Sequence, residues 1–182
     1  MKHILFAFAL LSAPISAQEP ASEREVLEAV IDIAKTGQLG FEMPEGWTWE
    51  YVPNYGACMR LLTTSCALVQ SDAPLEESEN TRTIWAATNR STNHTIFFKG
   101  SALPRSAQAG AYVKPGSEGS VVTFVGPHEM TASEMAAYVI GHEVHGHLVE
   151  DLDGTSMDEM VGNFYGFAAR RALRAIEIDS TS

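Results

Sequence analysis

Cysteine, basic residues and long apolar runs are all scarce in this chain, and each shortage narrows what it can be. Only two cysteines occur among its 182 residues, Cys58 and Cys66. In an oxidising compartment an even pair this close reads as one disulfide closing a small loop, which consumes the thiolates that metal binding requires. Twelve basic residues face 23 acidic ones, for a net charge of −11. Such a surface repels nucleic acid and anionic lipid at long range and favours cationic partners or metal ions, although acidity also serves solubility. No apolar run approaches the roughly 20 residues of a membrane-spanning helix, which argues against a stable anchor. Internal repeats and low-complexity tracts are also absent.

The first residues have a different character. Lys2 and His3 precede Ile4-Leu5-Phe6-Ala7-Phe8-Ala9-Leu10-Leu11, and Pro14-Ile15-Ser16-Ala17 follows. A basic start, a short apolar stretch and a small residue at the cut form a secretory signal-peptide pattern. The expected organisation is a signal peptide over residues 1–17 and a single domain over residues 18–182, secreted or periplasmic. A mature chain of about 165 residues is long enough to bury a real core.

Within that domain, Ser22-Glu23-Arg24-Glu25 is a capping box, and Val26, Ala29, Val30 and Ile33 recur at helical spacing. This predicts a helix to about Lys35, with Gly37 as its stop. Residues 40–56 hold Trp47, Trp49, Tyr51 and Tyr55 among Pro44, Gly46 and Pro53, and read as an aromatic-rich loop or a short strand pair. Strands are predicted over 83–87, 95–98, 111–113 and 120–125, with polar or Pro-Gly connections between partners. Two more capping boxes follow, Thr131-Ala132-Ser133-Glu134 and Ser156-Met157-Asp158-Glu159. They predict helices over about 132–151 and 156–176, separated by Asp153-Gly154. A helix, a small sheet, a long helix and a last helix make an α+β order.

The chemistry is concentrated in Gly141-His142-Glu143-Val144-His145-Gly146-His147, with three histidines and a glutamate in seven positions. At about 100° per residue, His142 and His147 stand about 140° apart on a straight helix, too wide to share an ion. A π-bulge would make residues i and i+5 neighbours and bring His142 and His147 together with Glu143 beside them. Alternatively, His142 and His145 lie about 60° apart on a regular helix, a separation that metal-binding helices use. Two imidazoles and a carboxylate suit Zn²⁺, with a position left for water. Glu143, next to the first histidine, stands where a general base is needed. The carboxylate ligand should come from the following helix, where Glu159 is the best candidate. Asn163 and Arg170 lie on the same face of that helix.

Val139-Ile140-Gly141-His142-Glu143, followed by a His-Gly step, resembles the active helix of gluzincin metallopeptidases, neprilysin-type enzymes among them. In those families the second histidine comes four residues after the first. Here His145-Gly146 fits that pattern with one residue fewer than the family spacing, and His147 with one residue more. The stretch from Asp158 to Ala169 is similar to the glutamate-bearing helix of small zincins. The resemblance, which runs from Thr131 to Arg171, implies a zincin-like layout: a small mixed or antiparallel sheet packed on a metal-site helix and a following C-terminal helix. It further implies a zinc-dependent peptidase that hydrolyses a peptide or protein substrate, with His142, His147 or His145, and Glu159 on the metal and Glu143 activating water. The competing expectation is a catalytically inactive zincin-like protein that binds a partner or sequesters metal.

Overall fold

The computed structural model describes residues 21–52, 85–107, 110–116, 122–153 and 156–180. The expected signal peptide, the Cys58–Cys66 pair and Tyr55 lie outside the described residues. The fold is α+β, with three helical segments and small sheets among the described residues. None of the described helices is long and apolar enough to cross a membrane.

Helix α1 (Glu23–Lys35) begins at the predicted capping box: the Ser22 side chain accepts from the Glu25 amide, and the Glu25 carboxylate accepts from the Ser22 amide at 2.6 Å. Its apolar stripe buries Leu27, Val30, Ile31 and Ala34, and Gly37 takes the left-handed conformation just beyond it (φ 75°), as a helix stop requires. The aromatic-rich segment, described through Val52, supplies one strand among those residues. β1 (Thr48–Val52) runs parallel to β3 (His94–Phe98), which pairs antiparallel with β2 (Ala86–Asn89) in the order β1-β3-β2.

The central strand β3 explains its own apolar sequence. Thr95, Ile96, Phe97 and Phe98 are all essentially buried, and because strand side chains alternate, this requires cover on both faces. Phe97 joins the main core, while Ile96 and Phe98 cluster with Val52 and Ala87. The β2–β3 connection turns through Asn89, whose side-chain oxygen accepts from the Ser91 amide (2.9 Å), and through Asn93 in the left-handed region (φ 48°). Two further antiparallel pairs lie among the described residues: β4 (Arg105–Ala107) with β7 (His128–Met130), and β5 (Gly110–Val113) with β6 (Val122–Val125). The sequence pattern gives no sign of β4 or β7, since three-residue polar strands carry no alternation to read.

Helix α2 (Ala132–Ile140) starts at the Thr131–Glu134 capping box. Met135 through Ile140 are all buried, the signature of a helix surrounded by protein. It packs against α1 on one side and α3 (Ser156–Ser180) on another. From Gly141 to Val149 the same helix continues as a π-helix.

The π segment and α2 meet α3 antiparallel through glycines. A Cβ on Gly141 would fall 2.6 Å from the Ala169 Cβ and 2.7 Å from the Tyr165 carbonyl oxygen. One on Gly166 would fall 2.8 Å from the Tyr138 ring and carbonyl, and one on Gly146 3.3 Å from the Gly162 Cα. The backbones therefore lie closer than side chains would permit. Gly141→Ala should lower stability measured by urea denaturation. The helix-propensity gain of about 1 kcal/mol is outweighed by overpacking against immovable backbone, which typically costs about 1–3 kcal/mol. Gly126→Ala, where nothing lies within 4 Å, is the control and should be nearly neutral.

Candidate metal centre

The π segment decides which histidines meet. With i→i+5 bonding, such as the Glu150 amide on the His145 carbonyl (3.0 Å), residues five apart come to lie over one another. His142 and His147 are then edge to face, with ring centroids 5.2 Å apart. Glu159, in the first turn of α3, reaches both: its Oε2 lies 3.2 Å from His142 Nε2 and its Oε1 3.6 Å from His147 Nε2. One ligand atom from each of these three residues lies within 4.8 Å of the others.

The separations suit a small tetrahedral cation. Zinc bonds of about 2.0–2.1 Å place neighbouring ligand atoms roughly 3.3–3.4 Å apart; His142 Nε2 lies 3.2 Å from one Glu159 oxygen and His147 Nε2 3.6 Å from the other. The tautomer of one ring suits it too. His147 Nδ1 lies 3.0 Å from the Leu152 carbonyl oxygen, and because a carbonyl only accepts, Nδ1 must carry the proton. In the neutral ring this leaves the Nε2 lone pair pointing at the cluster, the arrangement that outer hydrogen bonds impose on metal-binding histidines. The turn through Asp151, at φ 58°, leads into the residue that supplies that carbonyl.

His142 is held just as closely. A Cβ on Gly162 would fall 2.8–3.1 Å from three atoms of its ring, so the imidazole occupies the space that a glycine leaves open on α3. Asn163 favours the charged form of the same ring and is itself pinned. Its Nδ2 donates to the Ala111 carbonyl (3.0 Å), and its Oδ1 accepts from Tyr138 Oη (2.5 Å). Burial pushes the His142 pKa down, but hydrogen bonding to Glu159 and the charges of Glu143 and Glu159 outweigh it, and the net shift is upward. Burial and the neighbouring carboxylates raise the Tyr138 phenol well above its ordinary range, so it remains a neutral donor to Asn163.

Glu143 follows His142 and accepts a hydrogen bond from Thr88 Oγ1 on β2 at Oε2 (2.8 Å). His145 lies apart from this group. It stacks on Phe41 (centroids 4.8 Å) and against Tyr165 (4.2 Å), with Nε2 3.3 Å from Glu150. The structure thus pairs His142 with His147 and gives His145 to an aromatic sandwich, where burial lowers its pKa. Arg170 is also remote from the cluster. It is buried beside Glu134 and donates to the Glu129 carbonyl (2.8 Å). The side chains of His142 and His147 are only 12% and 11% exposed, against 47% for Glu159, so access to the cluster is from the glutamate's side.

Thr88, the Leu152 carbonyl and Gly162 have no counterpart in the sequence-level candidates. Gly162 carried a faint signal, a small residue one helical turn after Glu159; Thr88 lies 55 residues from its partner and carried none. Comparison with protein-family profiles, curated proteins and solved structures returns no match to this chain.

Two outcomes follow from this geometry. His147→Ala should abolish whatever stoichiometric metal uptake elemental analysis finds for the wild type, whereas His145→Phe should retain it. Metal affinity at this cluster should also fall with acidification from above the ordinary imidazole range. The raised His142 pKa means that a proton must leave before the metal binds. For the metal-free protein the sign is opposite: imidazolium stabilisation is complete below the unfolded histidine pKa and is lost as pH rises through the raised one. Titration calorimetry near pH 7 in buffers of different ionisation enthalpy should register proton release on zinc binding.

Proposed function

We propose that this chain is a secreted or periplasmic zinc-dependent peptidase of zincin type. The observation that carries the reading is the convergence of His142, His147 and Glu159 within 4.8 Å, with Glu143 adjacent in sequence to the first of them. Two imidazoles and one carboxylate are a common protein ligand set for catalytic zinc. When bound, zinc supplies Lewis acidity, which polarises a carbonyl and brings the pKa of water towards neutrality.

The chain's own residues account for the remaining steps. Glu143 accepts the proton of the attacking water and passes it to the amine that leaves when the C–N bond breaks. With Oε2 engaged by Thr88, Oε1 is the proton-accepting oxygen. The half-exposed Glu159 marks the side from which substrate arrives. Peptide or protein is the substrate class, in keeping with an acidic molecule that repels nucleic acid.

Glu143→Gln tests the assignment. Zinc stoichiometry should be unchanged while kcat on a susceptible peptide falls by about 10²–10⁴-fold, the usual contribution of a general base. A zinc-loaded wild type that cleaves nothing in a broad peptide library would instead point to the metal-sequestering or partner-binding alternative and sink the peptidase reading.

A further inference from the structure

The residue placed as the base stands at the end of a line of hydrogen bonds that reaches across the sheet. Trp47 Nε1 lies 3.0 Å from Thr95 Oγ1, Thr95 Oγ1 lies 3.2 Å from Thr88 Oγ1, and Thr88 Oγ1 lies 2.8 Å from Glu143 Oε2. Four segments contribute: the loop before β1, strands β3 and β2, and the π segment. The middle link is built into the strand register, since Thr88 and Thr95 are direct cross-strand partners. Thr95 is fully buried, so no solvent competes for its hydroxyl.

The direction of every link is forced. An ionised carboxylate only accepts, so Thr88 commits its single hydroxyl proton to Glu143. Thr88 can then only accept from Thr95, and Thr95 only from the indole, which is a donor without acceptor capacity. The three bond dipoles therefore all point towards Glu143, the arrangement in which successive hydrogen bonds polarise and strengthen one another. A cross-strand threonine pair needs no such direction. Two threonines that merely satisfied each other would leave the carboxylate and the indole out of the line.

We propose that Trp47, Thr95 and Thr88 are positioning residues, a polarised relay that holds the Glu143 carboxylate in a single orientation beside His142. The proposal rests on Glu143 being the base for its consequence in turnover, but not for its geometry. A carboxylate held at Oε2 cannot turn about its last torsion without straining the Thr88 bond. The relay also makes Trp47 a distant reporter of what happens at residue 143.

Two measurements test it. In kinetics, Thr88→Val should reduce kcat by about tenfold or more, the scale of one lost hydrogen bond to a charged group. KM and zinc stoichiometry should change little, and Thr88→Ser, which restores the hydroxyl, should recover most of the loss. A merely structural threonine would let Val serve as well as Ser. In NMR of the zinc-free protein, the Trp47 indole N–H resonance, assigned by its loss in Trp47→Phe, should shift in Thr95→Val, in Thr88→Val and in Glu143→Leu. An indole unmoved by Glu143→Leu overturns the relay, as does a Thr88→Val enzyme with wild-type kcat. If the wild type cleaves no peptide, the peptidase reading falls by itself and the indole measurement still decides the relay.

Discussion

The centre depends on the widened winding of one stretch of helix. Gly141–Val149 is wound with one extra residue per hydrogen-bonded ring, and this changes which side chains share a face. On an α-helix Gly146 would occupy the place opposite the core where a second ligand belongs, with His147 far round the surface. Wound as it is, the segment brings His147 to His142 and turns Gly146 against Gly162 of α3. Extended π winding is rare, well under 1% of residues in globular proteins, and here it has local support. The His147 ring anchors to the Leu152 carbonyl beyond the end of the segment, and His145 is gripped between Phe41 and Tyr165.

That winding also sorts the electrostatics. Of the three histidines, the two beside Glu159 face a carboxylate with their Nε2 atoms, and the third is turned to aromatic rings and Glu150. His142 and His145 are both partly desolvated, yet their pKa values move in opposite directions. His142 has Glu159, Glu143 and Asn163 to favour its charged form, while for His145 burial outweighs Glu150. In this region the balance of carboxylates against burial sets the direction in which each ring's pKa moves.

Local signals read well from the sequence, and tertiary ones do not. The capping boxes at Ser22 and Thr131 locate two helix starts because the hydrogen bonds that make them span only three residues. The β2–β3 and β5–β6 pairs are visible through their apolar runs and turns. Spacing does not tell which of His145 and His147 lies beside His142, because His145 is held elsewhere by Phe41, more than a hundred positions away, and by Tyr165. The Thr88 contact with Glu143 and the short polar pair β4–β7 were equally invisible. Each depends on chain segments whose meeting no local pattern encodes.

The glycine contacts between the π segment and α3 carry one more consequence. The ligands come from two stretches of chain, so the size of the cage is the distance between two backbones. With Gly146 against Gly162 and Gly141 against Gly166, that distance is set by main-chain atoms, which have no rotamers to exchange. What is set in advance is the spacing of the two backbones, a part of the scaffold that a bound ion would not have to order.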